Sequence, residues 1–150
     1  MRENLFHPAD RARIEERIRI LAPGAARQWG KMDAAQALAH CCVGIEAATG
    51  DRPMRQKFIG KILTPFFKGY FLGPKPFSRD APTDRSFVVA DPREFAREKD
   101  RLLALVAKFA GAGPDAAARH EHAFLGRLTG EEWGRGMWKH LDHHLRQFGG

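Results

Sequence analysis

The sequence predicts an all-α protein, and three observations lead there. Four helix starts carry capping chemistry, in which side-chain oxygens satisfy amide donors that a helix leaves free. Apolar residues recur three and four apart over segments of three to five turns. The single β-like run, Ser86-Phe87-Val88-Val89, is too short and isolated to found a sheet. At 150 residues and 43% hydrophobic, the chain is sized for one domain, 1–150, with a genuine core.

The first helix opens at Pro8, whose fixed φ and missing N–H suit a first turn. Ile14, Ile18 and Leu21 keep one face apolar, while Arg11, Arg13, Arg17 and Arg19 interleave with Glu15 and Glu16 on a face read as solvated. Asp33 with Gln36 opens the second helix, where Leu38, Cys41, Cys42 and Ile45 are spaced to pack a core. Met54 to Tyr70 is apolar and basic, and is expected to be a short extra helix until Pro65 disturbs it. From Gly73 to Asp91, Pro74, Pro76 and Pro82 lie among Gly, Ser, Asp and Thr, predicting a long ordered loop. Its length suits a crossover between bundle halves, and a lid over a site would use the same composition. Asp91, Pro92 and Glu94 open the next helix, with Phe95, Leu102, Val106 and Phe109 as its core stripe, widened by Leu103 and Ala110. Thr129 with Glu132 opens the last.

Composition limits the function classes. The net charge is +7 and the pI near 9.9, but the positive residues read as scattered and no RNA or DNA motif is present, so no nucleic-acid partner is expected. Two adjacent cysteines, Cys41 and Cys42, are poorly placed to bridge each other and point to a reducing, cytoplasmic location. The N-terminus lacks an apolar signal segment and no apolar run is long enough to span a bilayer. Lys57 to Phe71 alternates basic and aromatic residues as membrane-surface helices do. The stretch reads at least as well as a core helix plus a buried turn, so no membrane partner is expected.

The last helix carries the chemistry. Trp133, Met137, His140 and His144 are spaced four, three and four, so two imidazoles stand where leucine is expected. Residues four apart lie one turn above each other, and both rings can aim at one point. An unpartnered buried imidazole costs about 1–3 kcal/mol, so each needs a hydrogen bond, a proton partner or a metal. No glutamate follows His140, which excludes the H-E-x-x-H metalloprotease motif. A third ligand is available in His40, the sole histidine of the second helix, where Ala37, Gly44 and Ala47 leave room between helices. Three imidazoles with an unfilled position suit zinc, nickel, iron, manganese, copper or cobalt, and admit water or substrate. His143, about 60° from His140 around the axis, is an alternative ligand or a supporting or rim group. His7, His120 and His122 read as surface or loop residues, the last two in a segment able to approach the site. Cys41 reads as a buried structural thiol, and Asp142 as facing solvent or a partner helix. No catalytic residue beyond the ligands emerges.

The segment ending in His40-Cys41, begun at Trp29, and the block Lys139-His140-Leu141-Asp142-His143-His144 resemble the DinB/YfiT-like metalloenzyme superfamily, in a branch known as a domain of unknown function. The likeness covers nearly the whole chain, including His122 to Thr129, where relatives commonly have a His-Pro-Phe-Phe-Gly-like run. It implies an up-down-down-up four-helix bundle in which His40, His140 and His144 bind a divalent metal ion. Some relatives are thiol-dependent S-transferases. The resemblance therefore implies a metal-dependent transferase or hydrolase for a small-molecule substrate, with a low-molecular-weight thiol as cofactor. Arg135, Arg146, Lys57 and Arg55 are candidates to bind the carboxylates of such a thiol. The alternative is a non-enzymatic ligand- or partner-binding bundle with a structural metal site, and a homodimer through an exposed face is compatible with either.

Overall fold

The protein is described by a computed structural model that covers residues 3–79, 81 and 85–150. Four long helices, α1 (Pro8–Ile20), α2 (Ala34–Thr49), α4 (Phe95–Ala112) and α6 (Gly130–Gln147), form an all-α bundle. Each of α1 and α2 packs against both α4 and α6. Trp133, Phe109, Ile14, Ile18, Ile45, Leu102 and Leu141 are fully buried where the four meet. Helix α3 (Phe58–Leu72) lies outside this square, against α6. A single turn, α5 (Pro114–Ala117), and a two-residue hairpin, β1 (Glu121–His122) with β2 (Gly126–Arg127), link α4 to α6.

Local chemistry explains the boundaries. Helix α2 begins in a reciprocal capping box: Gln36 N donates to Asp33 Oδ1 at 2.8 Å and Asp33 N to Gln36 Oε1 at 3.0 Å. Thr129 and Glu132 repeat the arrangement at α6. Helix α4 starts later than its Asp91-Pro92 signal. The Asp91 carboxylate is held by Arg93 at 3.0 Å and its carbonyl accepts from Gln36, which leaves the Glu94 carboxylate to cap the amides of Ala96 and Arg97.

Several expectations are corrected. Pro65 does not end α3, which continues to Leu72. Pro65 and Lys61, whose bond the ring removes, are both exposed, so water can replace the lost donor. Nor is α3 a core helix: Gly60 alone is buried along it. In α6 the core stripe is Trp133, Met137, Leu141 and Leu145, with His140 and His144 on the adjacent, partly exposed face. Arg17 is not simply solvated but reaches across to buried Asp142 at 2.8 Å, so that Asp142 faces a partner helix. Among its described residues the 73–91 segment is irregular except for a 3-10 turn, Arg85–Phe87. Its Pro82, with Asp80, Thr83 and Asp84, lies outside the described residues, as do Met1 and Arg2.

Candidate metal centre

Helices α2 and α6 bring His40, His140 and His144 together. One nitrogen from each lies within 4.8 Å of the others, a group able to hold a metal ion. His40 and His140 face each other Nε2 to Nε2 at 2.9 Å, and the ring centroids of His40 and His144 are 4.6 Å apart. Gly44 makes the approach possible, because a Cβ there would lie 3.0 Å from two atoms of the His140 ring.

Hydrogen bonds outside the triad fix which nitrogens face inward. The Phe87 carbonyl lies 2.6 Å from His40 Nδ1, and because a carbonyl can only accept, Nδ1 carries the proton and Nε2 a lone pair. Gln147 Nε2 donates to the Trp29 carbonyl at 2.8 Å, which orients its Oε1 toward His144 Nδ1 at 2.9 Å. His144 Nδ1 is therefore the donor, and its Nε2 is again left with a lone pair. His140 Nδ1 is buried and has no hydrogen-bond partner among the described residues. Burial pushes all three imidazoles below their ordinary pKa, His144 to about 3, and neighbouring histidines depress His140 further. The set is neutral at pH 7, as ligation of a cation requires.

These residues fit a divalent ion. Two nitrogens on one tetrahedral ion at the usual ~2.0–2.1 Å bond length lie about 3.3 Å apart, between the 2.9 Å and 4.8 Å observed here. Lone pairs held inward by bonds at the far side of the ring are the usual support for histidine ligands. His143 lies outside the triad. It stacks edge-on against His144 at 5.0 Å and lines the rim between Trp29 and Phe77.

The triad forms the floor of a cavity of about 410 Å³. Its walls are apolar: Leu63, Phe67 and Phe71 from α3, Phe77 and Phe87 from the 73–91 segment, and Phe124 from the hairpin. That segment is thus both connection and cover. A Cβ on Gly136 would strike the Phe71 ring, so this glycine lets α3 close over α6. His122 also lines the cavity, in the segment that the sequence marks as able to approach the site. Its Nδ1 accepts from the amides of Phe124 and Leu125 at 3.1 and 3.2 Å, and burial lowers its pKa to about 4. It sits in a two-residue strand, outside any helical periodicity, and its sequence signal is the run from His122 to Thr129 that carries part of the family resemblance. His120 contributes its carbonyl to Trp133 Nε1. Cys41 and Cys42 are free, buried thiols whose pKa values burial raises, Cys42 to about 12. Of the basic rim candidates, Arg135 pairs with Glu131 and Arg146 with Asp142.

An all-α bundle with a three-histidine group under an apolar cavity is the class that this fold and site define. A family described as "Protein of unknown function (DUF1569)" matches residues 2–149, and the chain belongs to that family. No curated protein and no solved structure matches the chain. Among the described residues, no helix is long and apolar enough to cross a membrane.

Proposed function

We propose that the protein is a divalent-metal-dependent transferase or hydrolase acting on a small, largely apolar molecule, with His40, His140 and His144 as the metal ligands. One observation carries this reading: three neutral imidazoles converge at the floor of an apolar cavity. It keeps the DinB/YfiT-like arrangement that the sequence resemblance implies, including a low-molecular-weight thiol as the second reactant of a transferase. A bound divalent ion supplies Lewis acidity and lowers the pKa of a water or thiol in its open position.

The chain's own residues do the rest. Phe87 and Gln147 hold His40 and His144 in the tautomers that keep Nε2 basic. The aromatic walls exclude water, which strengthens every electrostatic interaction inside. The His122 Nδ1 contacts leave Nε2 as its protonated nitrogen, a donor for a polar group of a substrate. His143, kept neutral at pH 7 mainly by burial, stands at the rim beside His144 as a proton acceptor.

Metal content of untagged protein, measured by inductively coupled plasma mass spectrometry, tests the assignment. Near-stoichiometric divalent ion is expected, with loss of about tenfold or more in affinity for His40→Ala, His140→Ala and His144→Ala, and retention in His143→Ala. Protein that binds no divalent ion, or binds it equally well in all four variants, would sink the proposal. Thiol-transfer or hydrolytic turnover dependent on the ion separates an enzyme from a non-enzymatic bundle with a structural site.

A further inference from the structure

Helix α3 has two apolar faces. On the helical wheel, Ile59, Leu63, Phe67 and Phe71 point to the cavity, while Phe58, Ile62 and Phe66 occupy the adjoining arc and stay exposed among the described residues. Phe58 and Phe66 are each 78% exposed, Ile62 59% and neighbouring Ile59 57%. Scattered apolar residues are ordinary on a surface, but three large ones on a single helix face, with Ile59 at the cavity edge beside them, mark an interaction site.

Charge selects the occupant. From Arg52 to Arg79 the chain holds seven Lys and Arg residues and no Asp or Glu, which equals the whole net charge of +7. The excess is therefore not scattered: the rest of the chain is neutral, and the imbalance is concentrated on and around α3. Arg55 and Lys61 are exposed and have no carboxylate partner among the described residues, unlike Lys68, which pairs with Glu132 at 2.7 Å. A second copy of the chain is a poor occupant, because apposing two such faces would bring like charges together. A basic helix with an exposed Phe and Ile face, too short and charged to cross a bilayer, matches an interfacial helix.

We infer that α3 seats the protein on an anionic lipid surface. Phe58, Ile62 and Phe66 enter the acyl boundary, and Arg55 and Lys61 meet the phosphates of the head groups. The adjoining face of the same helix walls the cavity, so an apolar molecule dissolved in the lipid would have a short path to it. The inference uses none of the histidines and does not depend on the metal assignment.

Co-sedimentation of the full chain with vesicles tests it. Binding is expected to vesicles rich in phosphatidylglycerol at low salt, not to pure phosphatidylcholine. It should disappear at about 1 M salt, where the Debye length is about 3 Å. Arg55→Ala and Lys61→Ala should each lower partitioning about fivefold. Phe58→Ser with Phe66→Ser should lower it at least about tenfold, with circular dichroism and metal content unchanged, since both side chains are exposed. No sedimentation with anionic vesicles overturns the inference. So does full binding by the double Phe variant, or equal competition by soluble polyglutamate, which would indicate an acidic protein partner. A wild-type dimer in analytical ultracentrifugation that the double Phe variant dissociates would assign the face to a second copy and overturn it too.

Discussion

A methyl group at Gly44 would lie 3.0 Å from both Cε1 and Nδ1 of His140, closer than an ordinary contact. Two effects of Gly44→Ala then oppose each other. Alanine favours the helix by up to about 1 kcal/mol, so the metal-free protein should melt at an equal or higher temperature. The His140 ring must shift to make room, and ligand displacement of this kind costs about 10–100-fold in metal affinity. Competition with a chelating dye and thermal melts in EDTA should show the two quantities moving in opposite directions. Unchanged affinity would mean that His140 need not keep its position. At this scale the i, i+4 histidines and the small residue facing them were readable, because helical spacing alone places them. The phase was not. Leu141 and Leu145 continue the core stripe from Trp133 and Met137, and the histidines occupy the neighbouring face. Four-residue steps drift around the axis, so two adjacent stripes share one spacing pattern.

Helices α2 and α6, which carry all three histidines, are the two that begin in reciprocal capping boxes. Asp33→Ala and Thr129→Ala should each lower stability by about 1 kcal/mol in urea denaturation, since each leaves an amide donor unsatisfied. A loss near zero would show that packing alone sets those ends. The caps were legible because both partners lie three residues apart. What escaped the sequence were elements decided by distant contacts. Glu98 is buried on α4 where Arg101, one turn away, reaches it and also bonds Glu46 of α2, 55 residues earlier. Helix α3 runs through Pro65 with the Thr64 hydroxyl donating to the Gly60 carbonyl at 2.6 Å and anchored at Phe124 O. Propensity rules contain neither contact.

The whole molecule should be acid-labile without metal. His122 and His144 titrate near 4 and 3 in the folded protein, against 6.5 for an ordinary histidine. Between pH 6.5 and 4 the unfolded chain binds these protons and the folded one does not. Stability is therefore lost as pH falls through that window, by about 1.4 kcal/mol per pH unit for each such histidine. His122→Asn keeps an acceptor for the Phe124 and Leu125 amides and removes the titration. Denaturation of the metal-free variant from pH 7 to 4 should show a shallower fall than wild type, and an identical slope would contradict burial of His122. The bundle class was evident from capping and spacing, whereas the cavity depends on how the 73–91 segment and hairpin fold over α6, which no local pattern records. Hydrogen bonds tie the triad to two of the chain's irregular connections. His40 is bonded to Phe87 in the segment before α4, and His144 through Gln147 to Trp29 in the segment before α2. Connections of this kind ordinarily tolerate added or deleted residues. Here each has one backbone carbonyl whose position selects the tautomer of a histidine, directly or through one amide. Changing the length of either loop would therefore alter which ring nitrogen offers its lone pair to the centre without touching any of its side chains.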